Sequence, residues 1–193
     1  MFALFVIALI QFASAKDLIM DGDEQGTFVR IEEGDCFALG DDASIEYVSG
    51  SDSKVTLASY DNGDCSGSPK EEEEVDSLVL KTFGFELKDC PDYVGFLIPD
   101  LESGDCSNEK TGMRLYYAEG CYNSVTGSFE YAEENGQLVT NTYDKKDCQG
   151  EKESVPFGYC DACITGEKMS TYVQCGAISK MIIVLLAFLF FLF

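Results

Sequence analysis

The residues with the clearest spacing for chemistry form an acidic segment near the amino terminus. Asp21, Asp23 and Gln25, followed by Gly26 and Glu32, nearly match the calcium-loop pattern D-x-D-x-[DN]-G-x5-E. In such a loop side-chain oxygens hold the ion and the glycine permits the sharp turn. A solvated turn is nevertheless the first interpretation, because the short stretch before Asp21 leaves no room for the helix that enters such a loop.

Catalytic chemistry has little support in the sequence. The chain has no histidine, which excludes Ser-His-Asp and Cys-His catalysis and histidine-ligated metals. Cys160-Asp161-Ala162-Cys163 has the spacing of a redox motif, but it lacks the βαβ context that would activate a thiol, so structural bridging is favoured. With 35 acidic residues, no carboxylate pair stands out as a glycosidase site. We predict no enzyme and no cofactor, apart from the calcium alternative above.

A repeat becomes visible when the cysteines are compared with their neighbours. Cys36 recurs as Cys121, and the motif Tyr-Asp-x-x-Asp-Cys-x-Gly occurs at residues 60–67 and again at 143–150. Matching order, residue type and spacing indicate an internal duplication. The predicted organisation is a first β repeat at 16–106 and a second at 107–169.

The repeat also indicates how the nine cysteines are divided between the two copies. Aligning Phe83-Gly84 with Phe157-Gly158 gives four cysteines per copy, and an oxidising compartment makes disulfides their expected state. Each half permits three pairings; Cys36–Cys65 and Cys121–Cys148 are favoured because they recur at similar separations. Cys175 has no counterpart. The disulfide candidates are Cys36, Cys65, Cys90, Cys106, Cys121, Cys148, Cys160 and Cys163.

The segments between the cysteines have the pattern of strands. Ser128–Ala132 and Gln137–Tyr143 alternate polar and apolar residues around Asn135-Gly136, a pair typical of a tight hairpin turn. The first copy has the equivalent hairpin, and no helix is predicted between the two ends of the chain. The run Lys70–Glu74 is predicted to be a solvated loop. Further β-type segments are Ser77–Leu87, Tyr93–Ile98 and Met113–Tyr117. The predicted class is all-β: two duplicated antiparallel units, packed as a sandwich or in tandem, disulfide-stabilised, with apolar helical segments at both termini.

The two ends of the chain are apolar and uncharged. Residues 1–15 end in Ala13-Ser14-Ala15 and predict a cleaved signal peptide. Residues 170–193 predict a GPI-attachment signal or a membrane anchor, because the apolar run 181–193 is short for a bilayer span. Ser170 and Gly176 are the candidate attachment sites. Cysteine parity favours Ser170, since cleavage there would discard the unpaired Cys175.

The motif at 60–67 and 143–150, with the short apolar tail, resembles small cysteine-rich secreted and GPI-anchored surface proteins of amoeboid protists. The resemblance implies a cell-surface protein and carries no catalytic residue to this chain. A formal net charge of −22 excludes nucleic acid as a partner. We predict a non-enzymatic, disulfide-rich coat, adhesin or receptor-type module on the outer face of the plasma membrane, with a protein or glycan ligand. The alternatives are a secreted cation-binding protein and, less favoured, a small secreted hydrolase or inhibitor.

Overall fold

The computed structural model describes residues 16–39, 42–51, 53–100, 106, 113–165 and 170–176. Within these residues the chain is mostly antiparallel β-structure with one short helix, which confirms the all-β class. The predicted signal peptide, the apolar tail and the helical segments expected in both lie outside the described residues. The chain forms two compact units that divide at Cys90 and Pro91. Residues 24–27 belong to the second unit and 113–115 to the first.

The first unit begins with a hairpin, and its last strand returns to pair with the first strand of that hairpin. β1 (Asp17–Asp21) pairs with β2 (Thr27–Ile31). A four-stranded antiparallel sheet follows in chain order, and the next strand then returns to pair with β1. The elements after β2 are β3 (Cys36–Ala38), β4 (Ser44–Gly50), β5 (Lys54–Tyr60), β6 (Glu71–Asp76), α1 (Ser77–Thr82) and β7 (Phe85–Lys88).

The second unit has the same strand order with one addition. β8 lies beside β9, a four-stranded antiparallel sheet follows, and the last strand returns to pair with β8. The addition is β14, which precedes the returning strand and pairs with it. This shared order is the structural counterpart of the sequence repeat. The elements are β8 (Tyr93–Asp100), β9 (Leu115–Ala118), β10 (Cys121–Asn123), β11 (Ser128–Glu134), β12 (Gln137–Tyr143), β13 (Lys152–Tyr159), β14 (Ala162–Thr165) and β15 (Ser170–Cys175).

Two expectations about the first copy are wrong. The glutamates predicted as a solvated loop form β6, an edge strand whose side chains are exposed while its backbone pairs with β5. The segment Ser77–Leu87, predicted as strand, begins as α1 because the Asp76 carboxylate accepts a hydrogen bond from the Leu78 amide and caps the helix. Gly84, with φ of 86°, then ends the helix before β7.

Four disulfides join the described cysteines. Cys36–Cys65 and Cys121–Cys148 form as predicted. The other two bonds are Cys106–Cys163 and Cys160–Cys175. Two predictions are therefore wrong: Cys175 is bonded, and Cys90 forms no disulfide.

The error follows from the alignment of Phe83-Gly84 with Phe157-Gly158. Phe83 caps a helix, whereas Phe157 lies within β13, so the two segments are not structural equivalents. Because β15 pairs with β14 and β8, the end of β15 lies close to Cys160, and the Cα atoms of Cys160 and Cys175 are 5.2 Å apart.

Three of the disulfides share the same local backbone conformation and hydrogen bond. One cysteine of each bond has a left-handed backbone, with φ between 51° and 59°, and its amide donates to the hydroxyl of a buried serine that begins a strand. A left-handed non-glycine residue is unfavourable, so the serine and the disulfide together hold it. The pairs are Cys65 with Ser44 at 3.0 Å, Cys148 with Ser128 at 2.8 Å and Cys106 with Ser170 at 2.8 Å.

Candidate ligand-binding site

The second unit carries an open groove of about 770 Å³ on the sheet formed by β10 to β13. Two other segments complete its walls: the turn that precedes β2 and the loop that follows β10. The residues that line the groove are Glu24, Gln25, Asn123, Ser124, Val125, Phe129, Tyr131, Thr140 and Phe157.

Three aromatic rings, Phe129, Tyr131 and Phe157, form what we call the aromatic floor. Phe129 and Tyr131 are two residues apart on β11 and therefore lie on one face of the strand. Tyr117 packs beneath, with its ring centroid 4.7 Å from Tyr131 and 4.8 Å from Phe157. The ring centroid of Tyr122 lies 5.5 Å from that of Phe129. These contacts hold the floor rings in place before any ligand arrives, which lowers the entropic cost of binding.

The turn at Glu24–Gly26 is held against this floor by hydrogen bonds. The Tyr131 hydroxyl donates to the Gln25 carbonyl at 3.3 Å, and the Ala118 amide donates to the Gly26 carbonyl at 2.8 Å. Gly26 has φ of 77°, and a Cβ atom there would lie 2.4 Å from the Tyr122 ring. Only glycine permits this approach, so the turn places the Glu24 carboxylate beside the floor.

The loop after β10 forms the opposite wall. The Ser124 amide donates to the Gly127 carbonyl at 3.0 Å, and the Gly127 amide donates back to the Ser124 hydroxyl at 3.2 Å. At the tip, Val125 is 97% exposed. A fully exposed valine on an ordered loop offers apolar surface at the rim of the groove.

The two units differ beside this face: in the first unit, Leu80 of α1 packs against the core around Tyr47, the counterpart of Tyr131. Tyr47 pairs in register with Leu57, as Tyr131 pairs with Thr140 in the second unit. Tyr47 is 1% exposed and belongs to a core against which Leu57 and Leu80 of α1 pack. In the second unit the chain passes from β13 to β14 through Cys160 and Asp161 alone, without a helix. In the aromatic floor Phe129 and Phe157 are partly exposed, whereas Tyr131 is 5% exposed.

The electrostatics of the groove are those of an acidic site. Burial, with a further contribution from Glu24, raises the pKa of Tyr131 to about 12, and burial likewise raises the pKa of Tyr117. Both hydroxyls are thus neutral at physiological pH. The lining has one charged side chain, Glu24, and no basic one.

Tyrosine ionisation gives a direct test of this packing. Burial raises the pKa of Tyr47 and Tyr131 to about 12, and the hydrogen bond to Glu130, 2.6 Å long, does the same for Tyr143. Unfolded tyrosine titrates near pH 10. Because the folded pKa is raised, the stability from these groups is complete below pH 10 and is lost as the pH rises from 10 through 12.

We therefore expect the absorbance at 295 nm, read immediately after a pH jump, to show only part of the ten tyrosines ionising by pH 11. In denaturant all of them should ionise near pH 10. Tyr143→Phe should remove amplitude from the late phase alone. Titration of all ten near pH 10 in the native protein would contradict the described packing.

The four residues predicted to bind calcium are not brought together. In the β1–β2 register Asp21 lies opposite Phe28, whereas Ile31, the residue before Glu32, lies opposite Leu18. Four residues of extended chain separate the two carboxylates by about 13 Å, far more than one ion spans. The Asp21 carboxylate instead accepts a hydrogen bond of 2.8 Å from the Lys88 ammonium group, and the Glu32 carboxylate forms an ion pair with Arg30. Asp23 and Gln25 lie in the turn, where the Gln25 carbonyl accepts from Tyr131.

The remaining cysteine chemistry is structural. Cys160 and Cys163 bond to different partners, so their spacing does not form an internal redox pair. Within the described part of the chain, Glu133, Cys160 and Cys175 have ligand atoms close enough to hold a metal. Cys160 and Cys175 form a disulfide and offer no thiolate, so the oxidised protein cannot bind an ion there.

The two lipid-attachment candidates occupy different structural positions. Ser170 is 1% exposed, begins β15 and accepts the Cys106 amide. Gly176 immediately follows β15, and its amide donates to the Val94 carbonyl at 2.8 Å. The parity argument for Ser170 fails because Cys175 is bonded. Cleavage after Ser170 would remove almost all of β15, whereas cleavage after Gly176 would leave the strand complete.

Sequence reasoning missed the aromatic floor. The alternation of Phe129 and Tyr131 was visible, but it indicated only a buried strand face. The signal that distinguishes the two copies is the short connection between β13 and β14, which has no room for a helix. That signal becomes interpretable only when Leu80 of α1 is seen to pack against the core around Tyr47.

Comparison with protein-family models, curated proteins and solved structures finds no match to this chain. No helix among the described residues is long and apolar enough to cross a bilayer. The structure itself thus defines the class: a disulfide-rich all-β protein whose second unit carries an open aromatic groove.

Proposed function

We propose that the protein is a non-enzymatic binding module of the outer cell surface, of the coat, adhesin or receptor type, held by a GPI anchor. The groove is the observation that carries this proposal. An ordered aromatic floor with a few polar groups at its edge is the usual composition of a ligand site. In the first unit, by contrast, Leu80 of α1 packs against the core around Tyr47.

The absence of a second acidic group in the groove supports binding over catalysis. Glycoside hydrolysis needs two carboxyl groups flanking the scissile bond. Glu24 is the single carboxylate in the lining, and the polar groups around it are amides and hydroxyls.

The covalent framework supports an extracellular location. Four disulfides within this domain are typical of proteins that fold in an oxidising compartment. The Ala13-Ser14-Ala15 sequence after an apolar run fits signal-peptidase cleavage. A negative surface also keeps neighbouring copies apart on a crowded membrane.

Gly176 is the attachment site that we favour. It is small, it follows the last described strand, and Ala177 after it is small as well. Residues 181–193 then supply the apolar segment of the signal. Attachment here retains the Cys160–Cys175 bond and every backbone pair of β15.

Phospholipase treatment of intact cells tests the proposal. We expect a phosphatidylinositol-specific phospholipase to release the protein, with mock-treated cells as the control. After reduction and trypsin digestion, mass spectrometry should find a carboxy-terminal peptide that runs from Met169 to Gly176 and carries the anchor remnant. Because an acylated inositol resists the enzyme, the terminal peptide decides: a mature protein that retains Phe193 overturns the anchor.

A further inference from the structure

We infer that the groove of the second unit binds the cationic side chain of an arginine or lysine presented by a basic polypeptide. This inference rests on the proposed function as a binding module and adds the chemical class of the ligand. Two features of the groove carry it: the charge of its lining and the ring faces of its floor.

The charge of the lining selects a cation. Glu24 is exposed at the groove and has no basic neighbour among the lining residues. Lys146 contacts the loop wall, but its ammonium donates to the carbonyls of Ser124 and Val125 and is held there. The protein as a whole carries a net charge of −22, so its field attracts basic partners and repels anionic ones.

The aromatic floor adds a second interaction with the same preference. A guanidinium or ammonium group over the face of Phe or Tyr is attracted by the negative charge of the ring face. Phe129 and Phe157 are partly exposed in the groove, whereas Tyr131, which is 5% exposed, packs against both, with ring centroids 5.7 and 6.3 Å away. The carboxylate of Glu24 and the two phenylalanine faces together resemble the cages that bind organic cations.

Part of the polar lining is already engaged, which disfavours a glycan. A sugar needs several free donors and acceptors, and three of the polar side chains in the lining already have partners. Both ends of the Asn123 amide bond to Asp147 at 2.9 Å, the Tyr131 hydroxyl donates to Gln25, and the Ser124 hydroxyl accepts from Gly127. An arginine needs only the carboxylate and the ring faces.

The shape of the groove favours a polypeptide over a small free amine. An open volume of about 770 Å³ exceeds one side chain and accommodates a short extended segment. The exposed Val125 at the rim can cover the aliphatic stem of the bound side chain while its charged end reaches Glu24.

Binding of two matched peptides tests the inference. Isothermal titration calorimetry of the full, disulfide-bonded protein at low salt would compare acetyl-Gly-Arg-Gly-Arg-Gly-amide with its citrulline analogue, which has the same shape without charge. We expect the arginine peptide to bind at least about tenfold more tightly. Glu24→Gln should weaken it by about tenfold and Phe157→Leu by about fivefold. Glu72→Gln, the same charge change on the exposed edge of β6, should alter it less than twofold.

Each opposing result overturns the inference. These results are no binding of the arginine peptide, equal binding of the citrulline peptide, or equal weakening by Glu24→Gln and Glu72→Gln. A neutral oligosaccharide that depends on Phe157 but not on Glu24 would overturn the ligand class and leave the binding module standing. The GPI anchor is tested separately, by the carboxy-terminal peptide of the mature protein. Near-UV circular dichroism and a free-thiol count on every variant verify that the fold is unchanged.

Discussion

A chain that ends at Met169 is expected to lose its cooperative fold, whereas a chain that ends at Gly176 is expected to retain it. The difference is β15, which pairs with β14 on one side and β8 on the other. Val173 in its centre is 0% exposed, and Ser170 holds the left-handed Cys106. Removing the strand leaves Cys160 without its disulfide partner and exposes both neighbouring strands.

The expected losses of folding free energy are large enough together to unfold the chain. Removing a native disulfide costs about 2–5 kcal/mol, and exposing a buried valine position costs about 1.5–3 kcal/mol more. The backbone groups of β8 and β14 also lose their partners. Together these losses approach or exceed the roughly 5–15 kcal/mol by which a domain is stable.

Oxidative refolding of the two truncated chains measures the effect. The longer chain should give a sharp near-UV spectrum and one thiol outside the four disulfides, that of Cys90. Full-length Cys175→Ser separates the disulfide from the strand: it should fold, at a cost within the disulfide range alone. Cooperative unfolding of the chain that ends at Met169 would contradict the role of β15 and restore Ser170 as an attachment site.

The parts of the fold that the sequence predicted are those with local signals. Asn135 and Gly136 have φ of 54° and 72°, as the tight hairpin turn requires, and β11 and β12 flank them as expected. The bonds of Cys36 with Cys65 and of Cys121 with Cys148 could be predicted because both recurred at nearly constant separation. In each case a short motif contains all the necessary information.

The wrong expectations depend on long-range pairing. Four consecutive glutamates are poor strand formers, yet β5 offers its backbone edge and pairs with them as β6. Their charges also protect the sheet edge from pairing with another molecule. Likewise, only the return of β15 to β8 brings Cys175 to Cys160. Neither pairing leaves a pattern in the neighbouring residues.

The candidate site was missed for a related reason. Its aromatic floor consists of ordinary core-type residues on β11 and β13. A single sequence shows which residues are present. It does not show that the turn before β2 and the loop after β10 come together around them, so the groove emerges only from the folded unit.

The largest effect of a single substitution is expected at Arg30 in β2, where an ion pair is buried. Its guanidinium Nε lies 2.9 Å from the Asp17 carboxylate, the two side chains are 7% and 8% exposed, and a second nitrogen contacts Glu32. Burial alone would lower the pKa of Arg30, but Glu32 and Asp17 raise it above the ordinary value, so the group stays charged. Because Arg30→Met would leave the Asp17 carboxylate buried without this partner, we expect a loss of about 3–5 kcal/mol in the free energy of unfolding.

Arg114, which also belongs to the first unit, provides the matched control. It lies 3.0 Å from Asp35, but the pair is more exposed, at 22% and 15%, so Arg114→Met should cost about 1 kcal/mol. Guanidinium unfolding with the disulfides intact, followed by near-UV circular dichroism, measures both changes. Replacing both members of the buried pair, as Arg30→Met with Asp17→Leu, should recover part of the loss because no unpaired charge remains. Equal costs for Arg30→Met and Arg114→Met would mean that burial does not set the strength of the Asp17 pair.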